Sequence, residues 1–112
     1  MQIQKIYAHI SCSNLDTSID WFSKLFGRDP DTRPMAGLAE WHHGDSAGLQ
    51  LFEDAKHAGS GTLTLGIADL ANERTRLEQL GFRPGEIEDT KEFKIVRLRD
   101  PDANLVVLVG ER

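Results

Sequence analysis

The residues of this 112-residue chain that could do chemistry are four histidines, one cysteine and scattered carboxylates. His9 follows Tyr7 by two positions, so on a strand the two share a face. Imidazole moves protons near neutrality, which makes His9 a candidate general base with Tyr7 as its partner. His42 and His43 are adjacent on a stretch that reads as a strand, so they point to opposite faces and cannot share one ion. His9, His42 and a carboxylate such as Glu40 or Glu53 would make a divalent set if they converged, but no H-x-H or H-x-x-x-H spacing ties them together. His57 stands in a glycine-containing joint. A hydrogen-bonded or surface histidine is the commoner role for each. Cys12 alternates with Ile6, Ala8 and Ile10, on the side that should pack on a helix, so it reads as a buried thiol and not a nucleophile. No G-x-S-x-G surrounds a serine, and Gly59-Ser-Gly61 lacks the Lys-Ser/Thr ending of a phosphate loop.

The elements that must position these groups come in two copies. Ile6–Cys12 alternates as a strand; Asn14 is placed to cap a helix carrying Leu15, Ile19, Phe22, Leu25 and Phe26; Gly27 stops it. Residues 62–81 repeat the pattern: Leu63, Leu65 and Ile67 alternate with Thr62, Thr64 and Gly66, Asp69 caps, Leu70, Leu77 and Leu80 form the next apolar stripe, and Gly81 ends it. Between the copies, Arg28–Pro34 reads as a polar connection, Leu38–His43 and Gly48–Glu53 as a hairpin, and Asp54–Gly61 as a joint. After the second helix come a short edge strand at Arg83–Ile87, a longer strand at Glu92–Arg99, a turn at Asp100–Asn104 and a last strand at Leu105–Val109. The order predicts one α+β domain over 1–112, with modules of about 1–57 and 58–112: two βαβββ units forming a curved, incomplete β-barrel with helices on its outer face.

Bulk composition removes several classes. A chain 39% hydrophobic and 28% charged is an ordinary globule. Its net charge of −5, without a basic stripe, argues against nucleic acid. Leu105–Val109 is too short to span a bilayer, so no membrane role is expected. One cysteine forms no internal disulfide, and MQIQKIYAHI lacks a signal-peptide profile, so cytoplasm is the expected location.

Three stretches carry a resemblance: Asn14–Gly27 (NLDTSIDWFSKLFG), Asp69-Leu70 before the second helix, and Asp100-Pro-Asp-Ala-Asn104. In this order they resemble the vicinal-oxygen-chelate superfamily, which holds glyoxalase I, bleomycin-resistance proteins, fosfomycin-resistance enzymes and extradiol dioxygenases. One departure is Ala103, where that superfamily usually has Gly. Either Asp102 or Asn104 takes the left-handed position, or the turn is strained. The resemblance puts metal ligands at Tyr7, Gln50, Thr62 and Val107. Val has no donor and the other three are weak, so no metal and no cofactor is expected.

What remains to line a cleft is Tyr7, His9, Ser11, Gln50, Phe52, Thr62, Thr64, Leu105 and Val107, with Trp41 or His42 joining them according to the strand register. An apolar and aromatic wall with a few polar groups is the make-up of a small-molecule pocket. The expected ligand contacts are therefore Tyr7, His9, Trp41, Gln50, Phe52, Thr62, Thr64 and Val107. The chain reads as a metal-independent, bleomycin-resistance-like binding protein for a small organic molecule. The alternative is an enzyme: a metal-dependent lyase/isomerase or dioxygenase with relocated His/Glu ligands, or a metal-free one using His9 and Tyr7. The resemblance further implies a homodimer, and the Ala58–Gly61 joint permits either closure of the cleft within one chain or an exchange of halves between two.

Overall fold

The computed structural model describes residues 1–111. Its elements are β1 (Ile6–Cys12), α1 (Leu15–Phe26), β2 (Thr32–Met35), β3 (Leu38–His43), β4 (Ala47–Glu53), β5 (Thr62–Gly66), α2 (Leu70–Gln79), β6 (Glu88–Asp89), β7 (Phe93–Arg99) and β8 (Leu105–Glu111). The helix boundaries follow from the capping chemistry. Asn14 Oδ1 accepts from the Thr17 amide at 3.0 Å, and Asp69 Oδ1 accepts from the Asn72 amide at 3.2 Å. Gly27 ends α1 at φ +73°, a conformation that costs a glycine nothing. Leu80 departs from the expected apolar stripe: it is the C-cap, one residue past α2, and 48% exposed.

Two four-stranded sheets result, ordered β1-β4-β3-β2 and β5-β8-β7-β6. In each, the first strand runs parallel to the fourth and the remaining pairs are antiparallel. This is the expected α+β plan of two βαβββ modules. The barrel is not closed: β1 and β5 approach one another, but each belongs to its own hydrogen-bonded sheet. Two local expectations change. The polar connection after α1 contains β2, an edge strand on which Pro34 is tolerated because an outward N–H has no ladder partner to lose. The short strand after α2 falls at Glu88–Asp89 rather than Arg83–Ile87, although the Gly85 amide already bonds the Arg97 carbonyl at 2.9 Å.

Each sheet buries much of one face, but Ile6, 69% exposed, and Ala8, also exposed, depart from the expectation that they pack on a helix with Ile10 and Cys12, because α1 covers only the C-terminal end of β1. In the first, Ile10, Cys12, Ala39, Trp41, Leu49 and Leu51 are each 5% exposed or less and pack with Phe22 and Leu25 of α1. Trp41 sits between Phe22 and Phe26, with centroids 6.2 and 5.4 Å away, and its indole Nε1 donates to the Arg28 carbonyl at 3.0 Å. In the second, Val96, Leu98, Val106 and Leu108 pack with Leu70 and Leu77 of α2. Each such side chain contributes about 1.5–3 kcal/mol of burial. The modules are tied by polar bonds: Arg76 donates to the Leu25 carbonyl at 2.6 Å, and Ser13 bonds the Asp102 carboxylate through both its amide and its hydroxyl. Among the described residues no helix is long and apolar enough to cross a membrane.

Candidate functional site

With one face of the first sheet buried against α1, the ladder register fixes what the other face displays. His9 lies opposite Gln50, and Gln50 opposite Glu40, making one row across three strands. Thr32 continues that row on β2. A second row is Tyr7, Gly48 and His42; a third is Ser11, Phe52 and Leu38. The register therefore places His42 on this open face and Trp41 in the core, 3% exposed. Gly48 is what lets the second row form. A Cβ there would stand 2.8 Å from the Tyr7 ring and 2.8 Å from the Trp41 carbonyl. In its absence Tyr7 lies across the strand and meets His42 edge-on, centroids 6.3 Å apart.

The centre of the face is a carboxylate network. Glu40, 8% exposed, accepts from Gln50 Nε2 at 2.9 Å, from Thr32 Oγ1 at 3.4 Å, and lies 3.3 Å from His42 Nε2. The Gln50 hydrogen bond, working against desolvation and helped by His42, holds the Glu40 carboxyl below its ordinary range. A buried carboxylate persists only with such partners. Around it stand three rings: Tyr7, half-buried; Phe52, half-buried; and His9, exposed, its ring 6.1 Å from that of Phe52. Neither the His9 imidazole nor the Tyr7 hydroxyl has a hydrogen-bond partner among the described residues, and the two do not bond each other. Both are free to meet a ligand, but they do not form a preassembled acid–base pair.

The other expected contacts are on the second sheet. Thr62 pairs with Leu105 and Thr64 with Val107, which in turn pairs with Arg97. Among the described residues no hydrogen bond, ion pair or ring contact joins this group to Tyr7, His9, Gln50 or Phe52. Trp41 and Thr64 line a cavity of about 560 Å³ between the sheets, together with Ile6, Ala8, Leu63 and, from the second row of the first sheet, His42 and Gly48.

The four positions at which the resemblance implies metal ligands do not suit a metal by their chemistry. The four positions are Tyr7 and Gln50 on one sheet and Thr62 and Val107 on the other, and Val107 offers no donor. Among the described residues no three His, Cys, Asp or Glu side chains come together as a ligand set. Glu40 and His42 supply two donors, and the other groups in contact are the neutral Gln50 amide and Thr32 hydroxyl. The remaining candidates serve structure. Glu53 Oε1 accepts from the Leu15 amide at 2.9 Å at the start of α1, and His57 Nδ1 pairs with Asp54 at 2.7 Å in the joint. The Glu40–His42 pairing was open to detection from its spacing of two on a strand; Glu40's bond to Gln50 depends on which strands are neighbours, which spacing does not encode.

No family model matches the sequence, and no curated protein matches it. Solved structures do resemble the fold. A glyoxalase/bleomycin resistance protein from Catenulispora acidiphila DSM 44928 is 21% identical, with 97% of this chain and 99% of that one covered and a TM-score of 0.88. Lactoylglutathione lyase from Agrobacterium tumefaciens is 20% identical over 94% of this chain and 91% of its own, TM-score 0.78. The antibiotic-binding protein TnmS3 from Streptomyces sp. CB03234 is 19% identical over 100% and 97%, TM-score 0.80. At these identities the likeness shows the fold.

Proposed function

From a chain with the vicinal-oxygen-chelate fold and no metal-ligand set in the usual strand positions, we propose a metal-independent, bleomycin-resistance-like protein that binds a small organic molecule on the open face of its first sheet. One observation carries this reading: a carboxylate–amide–imidazole network of Glu40, Gln50 and His42, ringed by Tyr7, His9 and Phe52. Rings supply contact area at low entropic cost, and unpaired His9 and Tyr7 supply orienting hydrogen bonds. An aromatic or amphipathic ligand with a donor directed at Glu40 suits the face. The structural neighbours include an antibiotic-binding protein and a lyase, so the fold is used for both grip and turnover and the choice rests on the residues of the face. Cytoplasmic residence, expected from the lone cysteine, belongs to the same proposal. So does a homodimer, in which a second copy would add its own strands to a face that is open within one chain.

A thermal-shift screen of aromatic and amphipathic compounds, run with and without a chelator, tests this reading. Hits should persist in chelator and bind with affinities lowered about tenfold by His9→Ala or Phe52→Ala, about the loss of one good contact. Light scattering during the screen would check the dimer. A second reading, an enzyme with relocated ligands, draws on the contact between Glu40 and His42 at 3.3 Å. Stoichiometric Zn, Ni, Mn or Fe in protein purified without chelator, lost on Glu40→Gln, would favour that enzyme and sink the first reading.

A further inference from the structure

A cavity of about 760 Å³ opens between α1, the segment after α2, and β7, and no strand of the first sheet contributes to it. It lies in the size range of small-molecule sites. Its charge is the reverse of the chain's. Four of the thirteen basic side chains line it (Lys24, Arg83, Arg97 and Arg99) against one of the eighteen acidic ones, Asp20. Arg97 is engaged by Glu88 at 2.8 Å. The other three are not neutralised: Lys24 and Arg83 meet no carboxylate among the described residues, and the Arg99 guanidinium donates only to the Ala103 carbonyl at 3.1 Å. In a chain of net charge −5, three uncompensated cations on one concavity focus a positive potential there.

The wall beneath these cations is aromatic. Trp21 and Phe82 are both half-buried and meet edge to face with centroids 5.2 Å apart, and Leu98, 3% exposed, backs them. The Trp21 indole N–H has no partner among the described residues, whereas that of Trp41 is bonded to a carbonyl. An indole donor left open beside guanidinium groups is a ready partner for a carboxylate, and the ring faces suit a flat apolar body.

We propose that this cavity is a second binding site, for a small aromatic anion such as an aryl carboxylate, separate from the face that carries the proposed function. Lys24, Arg83 and Arg99 hold the anionic group, and Trp21 and Phe82 hold the ring. The probe is 2-naphthoate, with neutral 2-naphthamide as its matched control. Titration calorimetry on the full chain should give saturable 1:1 binding of naphthoate, at least about tenfold tighter than the amide and weakening as salt is raised. Arg83→Gln and Lys24→Gln, both at exposed positions, should each weaken naphthoate about threefold or more, and together about tenfold. Trp41→Phe leaves Trp21 as the sole indole, and its emission should then respond to naphthoate; if that variant does not fold, calorimetry on the unmodified chain carries the test. His9→Ala, which should impair the first face, should leave naphthoate affinity unchanged. The proposal fails if the amide binds as tightly as the acid, if salt and the two charge variants have no effect, if His9→Ala abolishes the binding, or if no binding occurs because a second copy of the chain fills the cavity.

Discussion

Asn104 Nδ2 donates to the Ser11 carbonyl at 3.0 Å, joining the turn before β8 to the end of β1, 93 positions earlier. The side chain is fully buried and leaves none of its hydrogen-bonding capacity unused. Its second amide hydrogen goes to Asp100 Oδ2 at 2.8 Å, while Oδ1 accepts from the Gly59 and Gly61 amides at 3.0 and 2.8 Å. One residue thus fastens the joint, the turn and the first strand. Asn104→Ala would orphan buried groups on every side and should cost about 3–5 kcal/mol. The isosteric Asn104→Asp should cost at least as much, since it turns a carboxylate oxygen toward the Ser11 carbonyl and the Asp100 carboxylate. Urea unfolding curves with an unchanged slope and a lower midpoint would check both; a near-neutral Asp variant would show that the amide donors do not matter.

Ala103, next to it, is the one non-glycine residue at positive φ among the described residues, at +70°. Of the alternatives open to the turn, strain at Ala103 itself is what the backbone adopts, and neither Asp102 nor Asn104 takes the left-handed position. A Cβ in that region costs about 1–2 kcal/mol, part of which glycine returns as unfolded-chain entropy. Ala103→Gly should therefore stabilise by about 0.5–1 kcal/mol. Calorimetric melting would show a rise of a few degrees, and a fall would mean the turn is not strained.

The legible part of the molecule was local. Alternation in Ile6–Cys12, the capping residues Asn14 and Asp69, and Gly27 mark the strand–helix repeat because period and capping act within a few residues. That Tyr7 and His9 share one face of β1 is legible for the same reason. Alternation alone does not assign Trp41 and His42 to a face, because a one-residue shift in register exchanges them and their side is set by pairing with Leu49 and Gly48 on another strand. Glu40's role needed three strands at once. β2 leaves no trace in the sequence because all four of its residues are exposed, so this edge strand has no apolar alternation.

Cys12 gives a prediction on pH. Its thiol is buried, donates toward the Phe52 carbonyl, and is pushed from 9.0 to about 11 chiefly by burial. A raised folded value means the neutral thiol's contribution is whole below the ordinary range and is lost as pH rises through it. Between neutrality and about pH 10.5 this one group should remove about 2 kcal/mol of stability. Cys12→Ala should start less stable and lack that component of the alkaline loss. Stability measured at both pH values for both proteins tests it, and parallel alkaline losses would refute it. The native thiol should also resist alkylation near neutrality until the chain unfolds.

The Glu40–Gln50 bond gives the opposite sign. A carboxyl held below its ordinary 4.5 stabilises the fold above that value, and the contribution fades as pH falls through the folded value. Gln50 is the largest source of that lowering, so Gln50→Leu should raise the Glu40 value and leave a half-satisfied carboxylate on the face. The variant should then be less stable at neutral pH by about 1–3 kcal/mol, the cost of a buried group that has lost a partner. Glu40→Gln/Gln50→Leu, with no charge left to hold, should recover part of it. Carboxyl-carbon NMR titration reads the shift directly, and urea midpoints read the coupling. If Gln50→Leu leaves the Glu40 titration where it was, the network is not what keeps that carboxylate ionised, and the face loses the anionic centre on which its ligand preference was built.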